Sequence, residues 1–108
     1  MDPYLFNLDS ATGHLAITLN QDKFDASCVA AFKERLAETW SPSVTGVSID
    51  FNQVGFIDSS GIGALLGIQK RLKASDEPVT ILNARRSVIE VIELLRLHRV
   101  FRIKQAEE

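Results

Sequence analysis

The chain is 108 residues long, 45% of its residues are hydrophobic and 24% are charged, and its formal net charge is −2. This composition is typical of a soluble globular protein, and the length fits a single domain spanning residues 1–108. A small negative charge gives neither the positive field that attracts nucleic acid nor a polybasic patch for a membrane surface, so we expect neither as a partner.

Sequence features at the N-terminus and the cysteine content indicate a cytoplasmic protein. The segment Met1-Asp2-Pro3-Tyr4 lacks the basic stretch and apolar run of a signal peptide. No apolar run approaches the ~20 residues of a membrane span. Cys28 is the only cysteine, so the chain has no internal disulfide and no thiol cluster for a metal. We therefore expect a cytoplasmic location and no metal or other cofactor.

The first part of the chain predicts a hairpin followed by a helix. Large apolar residues recur at every second position in residues 4–8 and 15–19, and turn-forming residues separate the two segments, which predicts a β-hairpin. Asp25 is suited to cap the N-terminus of a helix. We predict this helix over residues 26–40, because four apolar residues recur there at helical spacing: Val29, Phe32, Leu36 and Trp40.

The rest of the chain alternates predicted strands and helices. A strand over residues 47–51 continues in apolar content to Ile57, and a helix is predicted over residues 61–73. Residues 79–82 form a short β-rich run, which we expect to be an interior strand. Ser87 and Glu90 have the spacing of a capping box, which predicts a third helix through about Leu97. Apolar residues then predict a last short strand: Val100, Phe101 and Ile103.

The element order β-β-α-β-α-β-α-β predicts an α/β fold. Because helical crossovers usually join parallel neighbouring strands, we expect a mixed central β-sheet with an N-terminal hairpin, covered by about three to four helices. The third helix is apolar around most of its circumference, so it is either deeply buried or in contact with a partner. We expect the protein to be a monomer or a weak homodimer. The apolar residues are Val88, Ile89, Val91, Ile92, Leu94, Leu95 and Leu97.

The polar turn between the third predicted strand and the second helix is the candidate site of chemistry. It contains Asp58, Ser59 and Ser60, followed by Gly61. A turn of this kind holds hydroxyl groups beside the free amides at the start of a helix, where an anion is stabilised. From this pattern alone, Ser59 is a helix cap, a nucleophile or a phosphate acceptor.

Enzymatic and ligand-binding alternatives have little support in the sequence. A serine nucleophile requires a base, but His14 lies in the predicted hairpin and His98 after the third helix. The nucleophile-elbow pattern fails because Ile57 replaces its first glycine. No residues have metal-ligand spacing, and Leu66 replaces the third glycine of a dinucleotide fingerprint. We therefore expect a protein that is not an enzyme, with glycines that serve close packing: Gly61, Gly63 and Gly67.

The segment Phe56-Ile57-Asp58-Ser59-Ser60-Gly61-Ile62-Gly63-Ala64-Leu65-Leu66 resembles the signature of STAS domains, the family of bacterial anti-sigma factor antagonists. The resemblance covers nearly the whole chain. The opening hairpin, the segment Phe24-Asp25-Ala26 before the first helix and the strand at residues 47–51 are in their expected places. The resemblance implies a STAS fold and a role as an anti-sigma factor antagonist.

In single-domain antagonists the first serine after the aspartate is phosphorylated by an anti-sigma factor serine/threonine kinase, and a phosphatase removes the phosphate. The resemblance implies that Ser59 is the acceptor in this chain, with Asp58 beside it and Asp25 matching an acidic residue of the site. The unphosphorylated turn would bind the ATP-binding kinase and release its client, and phosphorylation would abolish binding. The partner surface would also include Ser60, Gly61, Ile62 and Gly63.

Phosphorylation would add about −1.5 to −2 charges at Ser59. The dipole and free amides of a helix start tolerate this charge, so we expect a switch in surface electrostatics with the fold unchanged. Two alternatives remain open. Ser59 could cap the second helix without any regulation, or the chain could be a non-switching STAS interaction or ligand-binding module in a larger sensory assembly.

Overall fold

The chain opens with a β-hairpin, as predicted. In the computed structural model, which describes residues 2–105, β1 (Tyr4–Asp9) and β2 (His14–Leu19) pair antiparallel over six residue pairs. Gly13 closes the turn with a φ of +78°, a conformation that favours glycine. A side chain at this position would also overlap the carbonyl oxygen of Ser43. The hairpin therefore depends on a glycine for both conformation and space.

The central sheet is mixed, which confirms the predicted architecture. In the described part of the chain, three further strands belong to this sheet: β4 (Gly46–Asp50), β6 (Thr80–Leu82) and β7 (Arg102–Lys104). The strand order is β1-β2-β4-β6-β7, and each pair beyond the hairpin is parallel. β6 lies between β4 and β7, so it is the interior strand that the sequence predicted.

A second, two-stranded sheet was not predicted. It pairs β3 (Lys23–Phe24) in parallel with β5 (Phe56–Ile57). Each strand follows a strand of the central sheet in the chain, so the small sheet lies beyond the carboxyl ends of β2 and β4. Two residues are too few to give a periodic pattern, and this is why the sequence did not reveal it.

Within residues 2–105, three α-helices cover the sheet, together with a 3₁₀ turn at Leu97–Arg99. They are α1 (Val29–Thr39), α2 (Ser59–Arg71) and α3 (Arg86–Leu94). Each helix joins one strand to its parallel neighbour, and the chain always moves across the sheet in the same direction. Right-handed crossovers therefore place all three helices on one face. The core lies between this face and the helices, and its largest fully buried side chains include Phe24, Phe32, Phe51, Leu65 and Ile81.

Two predicted helix caps were wrong. α1 begins at Val29 rather than at residue 26, with Cys28 at its N-cap and no side-chain cap. The Asp25 carboxylate instead accepts the amide of Ser27 at 3.0 Å, because a short acidic side chain readily closes a turn two residues onward. The Ser87 hydroxyl donates to the Gly55 carbonyl at 2.8 Å and does not cap α3. The Ser87 hydroxyl therefore bonds to a carbonyl group distant in the chain, and the predicted capping box does not form.

The third helix is not deeply buried, so that alternative was wrong. Val88 and Ile92 are fully buried, whereas Leu94 is 82% exposed and Leu95 is 50% exposed. Because α3 packs on only one face of a sheet, it needs only a stripe of apolar residues for that contact. Ile89 and Val91 are partly buried against the core, and among the apolar residues only those at the end of the helix, Leu94 and Leu95, face outward.

The helices in residues 2–105 are short. α2 has 13 residues and is the longest of them, whereas a membrane-spanning helix needs roughly 20. No helix in this part of the chain combines the length and the apolar character that crossing a membrane requires.

Candidate functional site

The turn at Asp58 and Ser59 lies at the carboxyl edge of the sheet. After β4 the chain turns at Phe51, and the amides of Gly55 and Phe56 then both donate to the carbonyl of Asp22, at 2.8 and 3.2 Å. The pairing of β5 with β3 completes this attachment. The loops that follow β2 and β4 therefore hold each other, and the start of α2 is placed on a rigid base.

Asp58 caps α2 and also fastens it to the loop before α1. One carboxylate oxygen, Oδ1, accepts the amide of Gly61 at 3.0 Å, and Oδ2 accepts the amide of Ala26 at 3.2 Å. The Gly61 amide, followed by those of Ala26 and Ser60, holds the pKa of Asp58 below its usual range. Asp58 is therefore an ionised acceptor that joins the beginnings of two helices.

Ser59 is the first residue of α2, and its side chain is exposed. Its hydroxyl makes no hydrogen bond with any residue between 2 and 105, and Asp58 already occupies the capping position. The alternative that Ser59 is the cap was therefore wrong. Ser60, in contrast, is half-buried. Of the two serines, Ser59 is therefore the more exposed residue.

The residues after the serines differ in their surroundings. Gly61 is buried, and a side chain there would overlap the Phe24 carbonyl oxygen, so only glycine lets α2 approach β3 this closely. Ile62 is 5% exposed and belongs to the core. Gly63 is exposed, and nothing lies within 4 Å of the position that a Cβ atom would occupy. Gly61 and Ile62 thus support the site from below, while Gly63 is on its surface.

Asp25 is brought to the same place, although it does not bond to Ser59. Its carboxylate accepts both the amide and the hydroxyl of Ser27 and so shapes a tight turn over residues 25–28. The next amide along, that of Ala26, donates to Asp58. The turn that Asp25 builds is therefore bonded directly to the start of α2, and two aspartates lie in the loops around Ser59.

Two features of the site were missed in the sequence. Phe56 is 50% exposed although it is a large apolar residue, because side chains alternate along β5 and Ile57 takes the buried position. Phe56 and Ile57 are both apolar, so the sequence did not indicate which of them faces outward. The amide of Ala26, in contrast, is a main-chain donor, and no side-chain pattern reveals its contact with Asp58.

Neither histidine reaches this turn. His14 Nε2 lies 2.9 Å from the Ser48 hydroxyl, at the amino end of the parallel strands. His98 is in the 3₁₀ turn after α3, which also precedes the amino end of a strand, β7. Within residues 2–105 no three His, Cys, Asp or Glu residues are grouped as metal ligands, and no pocket opens in the surface of this part of the chain.

Solved structures of related shape include known and candidate regulators. A candidate anti-sigma factor antagonist of Thermotoga maritima superposes with a TM-score of 0.82 at 16% identity, over 95% of this chain and 86% of that protein. SpoIIAA, a Bacillus cell fate determinant, gives a TM-score of 0.70 at 22% identity in its phosphorylated form, over 97% of this chain and 92% of SpoIIAA. Its unphosphorylated form, described as an anti-sigma factor antagonist, gives 0.69 at 19% identity, over 97% and 88%.

A sulfate transporter family protein of Wolinella succinogenes also superposes, with a TM-score of 0.60 at 19% identity, over 82% of this chain and 76% of that protein. At such identities the likeness establishes a shared fold. The sequence gives the family itself, since the STAS domain matches residues 6–108. Because that match extends over nearly the whole chain, the protein belongs to the STAS-domain family.

Proposed function

We propose that this protein is an anti-sigma factor antagonist whose binding is switched by phosphorylation of Ser59. The observation that carries the proposal is the position of Ser59: its hydroxyl is exposed and unbonded within residues 2–105, directly after an aspartate that already caps the helix. A kinase needs a hydroxyl that it can reach without unfolding its substrate. Ser59 meets this condition better than the half-buried Ser60.

The surface around Ser59 is suited to close contact with a partner. Phe56 offers an exposed aromatic ring, and Gly63 offers a helix surface without a side chain. Apolar anchors of this kind supply much of the free energy of association, and exposed glycine lets a partner's main chain approach closely. In its unphosphorylated form, this surface binds an ATP-binding serine kinase, the anti-sigma factor, which then releases its client.

Phosphorylation would reverse this binding through charge. The phosphate would add about −1.5 to −2 charges beside the ionised Asp58 and close to the loop of Asp25. The start of α2 tolerates that charge, because the helix dipole stabilises it. A partner that must desolvate the phosphate is rejected, and a 100-fold loss of affinity requires only about 2.7 kcal/mol. A serine phosphatase of the same pathway restores binding.

The SpoIIAA structures support this proposal, since that protein is an anti-sigma factor antagonist with phosphorylated and unphosphorylated forms. This chain superposes almost equally well on both forms, with TM-scores of 0.70 and 0.69. Such similarity is expected if the phosphate alters the surface and leaves the fold unchanged.

Intact mass spectrometry tests the modification. The purified chain is incubated with ATP and the anti-sigma factor serine kinase of the proposed pathway, and we expect one added phosphate that the pathway phosphatase removes. Ser59→Ala should remain unmodified, while the matched Ser60→Ala variant should be modified at the rate of the unaltered chain. A phosphate that persists in Ser59→Ala and disappears in Ser60→Ala would move the acceptor to Ser60.

A non-switching STAS module is the second candidate function. It is favoured by the likeness to a sulfate transporter family protein and by the exposed leucines of α3, because both suit a domain that docks permanently in a larger assembly. The phosphorylation experiment separates the two functions. A chain that binds the kinase equally well with and without ATP, and takes up no phosphate, supports the non-switching module.

A further inference from the structure

A second exposed surface lies at the end of α3 and in the 3₁₀ turn that follows it. Leu94 is 82% exposed, Leu95 is 50% exposed and Val100 is 36% exposed. Arg96 and Arg99 lie between them in the chain and are also exposed. We call these five residues the α3 tip.

The α3 tip is held in place by the core beneath it. Leu97 packs against the core from the middle of this segment, and Phe101 is only 3% exposed. The amide of Phe101 donates to the carbonyl of Leu97 at 2.9 Å, and the amide of Arg102 donates to that of Val79 at 2.8 Å. The segment that follows the exposed leucines is therefore anchored to the core. Their exposure does not result from fraying of the helix end.

Arg96 occupies a conformation that normally favours glycine. Its φ is +59°, in the left-handed region, at the position where many helices end with glycine. A residue with a side chain is disfavoured there, so Arg96 adopts this conformation at an energetic cost. Its guanidinium makes no hydrogen bond or ion pair with residues 2–105, and the same is true of Arg99. Both charges are therefore available to another molecule.

We propose that the α3 tip is a docking surface for a different protein, which presents an amphipathic helix with carboxylates beside its apolar face. Residues 94–102 contain three arginines and no acidic residue. Exposed leucines provide the apolar contact, and the two unpaired guanidinium groups select for carboxylates at its border. Charge complementarity is thus what identifies the chemistry of the partner.

A lipid surface fits this charge distribution less well. Binding to anionic lipid generally uses a cluster of about four to eight basic residues, whereas the α3 tip has two unpaired arginines. Arg102, the third arginine in this segment, already pairs with Glu77 at 3.6 Å.

A second copy of this chain fits less well for a different reason. Most homodimers are twofold symmetric, so the same patch meets itself across the interface. Residues near the twofold axis meet their own counterparts, so a contact centred on the α3 tip would bring Arg96 and Arg99 of one copy close to the same arginines of the other. Like charges in a desolvated contact are unfavourable.

The α3 tip is also remote from Ser59. The start of α3 lies near the candidate site, because Ser87 and Arg85 bond to the carbonyls of Gly55 and Asn52 at 2.8 and 3.0 Å. The helix then runs for nine residues toward the opposite edge of the sheet, a length of about 13 Å. The inference goes beyond the proposed function, and its test does not depend on phosphorylation.

The test uses two synthetic peptides and the ¹⁵N-labelled full chain. One peptide is an amphipathic helix of about four turns with leucines on one face and glutamates on both flanks; the other has lysines in place of the glutamates. We expect the glutamate peptide to shift the amide resonances of residues 94–100 saturably and the lysine peptide to shift none. Leu94→Ser and Arg99→Glu should each weaken binding by about tenfold or more, equivalent to about 1.4 kcal/mol.

Matched variants separate charge pairing from general electrostatics. Lys33→Glu makes the same charge change on the exposed surface of α1 and should leave the affinity unchanged. Arg99→Glu should gain affinity for the lysine peptide. Absence of shifts at residues 94–100 would overturn the proposal, and so would an affinity of Leu94→Ser and Arg99→Glu for the glutamate peptide equal to that of the unaltered chain.

Two further measurements test the other occupants directly. Flotation with vesicles of equal parts phosphatidylcholine and phosphatidylglycerol, at about 0.15 M salt, should show no binding. Sedimentation velocity should show no concentration-dependent dimer that Leu94→Ser removes. A positive result in either would replace the protein partner with a lipid surface or a second copy.

Discussion

At the scale of single residues, Asp58 connects the fold to the proposed switch. Its two carboxylate oxygens bond to different elements, one to the Gly61 amide in α2 and the other to the Ala26 amide before α1. Because Asp58 performs this structural role, Ser59 is left without one and its hydroxyl points to no acceptor in residues 2–105. A side chain that makes no hydrogen bond within the fold can be modified without destabilising it.

The contribution of Asp58 to stability should depend on pH. Its folded pKa is lowered, mainly by the Gly61 amide, so the carboxylate stabilises the fold fully above its unfolded pKa of about 3.9. This contribution is lost as the pH falls through the lower folded value, since a protonated carboxyl group is a poorer acceptor. Asp58→Ala should therefore lower the urea midpoint clearly at neutral pH and much less in strong acid.

Asp22→Ala is the matched control for this experiment. It removes a carboxylate from the same region, but the side chain of Asp22 makes no hydrogen bond within residues 2–105, and its carbonyl contact with Gly55 is kept. The control should show little change in midpoint at either pH. If the loss in Asp58→Ala were the same at every pH, the charge of Asp58 would not be the source of the stabilisation.

The turn that holds the candidate site was predicted from the sequence, but the hydrogen-bond partners of its residues were not. The Asp-Ser-Ser-Gly segment correctly indicated a turn at the start of α2. Spacing alone did not distinguish Asp58 from Ser59 as the cap, because both residue types are good caps. Asp25 and Ser87 have the spacing of caps, yet they bond to Ser27 and Gly55. Competing acceptors appear only once the chain is folded.

At the scale of elements, two glycines of α2 differ in the space around them: Gly61 has no room for a side chain, whereas Gly63 has ample room. A methyl group on Gly61 would overlap the Phe24 carbonyl and lie 2.7 Å from Cγ1 of Ile57, whereas a methyl group on Gly63 would meet nothing within 4 Å. Gly61→Ala should therefore destabilise the protein by about 1–3 kcal/mol through overpacking. Gly63→Ala should stabilise it by about 0.5–1 kcal/mol, since glycine is a poor helix former.

Thermal and urea unfolding of both variants check this prediction, and each variant serves as the other's control for an added methyl group. Gly63→Ala also tests the proposed partner surface, because a methyl group there would obstruct close approach of the kinase. Weaker kinase binding combined with a higher unfolding temperature cannot result from unfolding. Unchanged binding would exclude Gly63 from the partner surface.

Long elements with a periodic pattern could be predicted from the sequence, whereas short elements that depend on contacts between distant segments could not. The hairpin and the central strands have periodic patterns that the sequence displays, and the structure contains them. The two-residue strands β3 and β5 depend on pairing between distant segments, which no local pattern reports. The apolar residues of α3 indicated its existence, but only the one-sided packing of the sheet determines that Leu94 faces outward.

At the scale of the whole molecule, the fold places the two proposed surfaces at opposite edges of one sheet. Ser59 follows the carboxyl ends of the strands, and the α3 tip precedes the amino end of β7. The core between them, which includes Phe24, Phe51 and Ile81, is fully buried. A change of charge at one edge is therefore separated from the other by packed apolar side chains and by more than a Debye length of about 8–10 Å.

This separation predicts that the two surfaces act independently. Ser59→Asp, which imitates part of the phosphate charge, should weaken kinase binding and leave the thermal melt and the affinity for the glutamate peptide unchanged. Arg99→Glu should weaken binding of the glutamate peptide and leave kinase binding unchanged. For sites this far apart, the free energies of the two substitutions should add to within about 0.5 kcal/mol in the double variant. Titrating the kinase and the peptide against all four proteins measures the coupling. A larger coupling would mean that phosphorylation also controls the α3 tip, and the protein would then link two partners instead of binding each on its own.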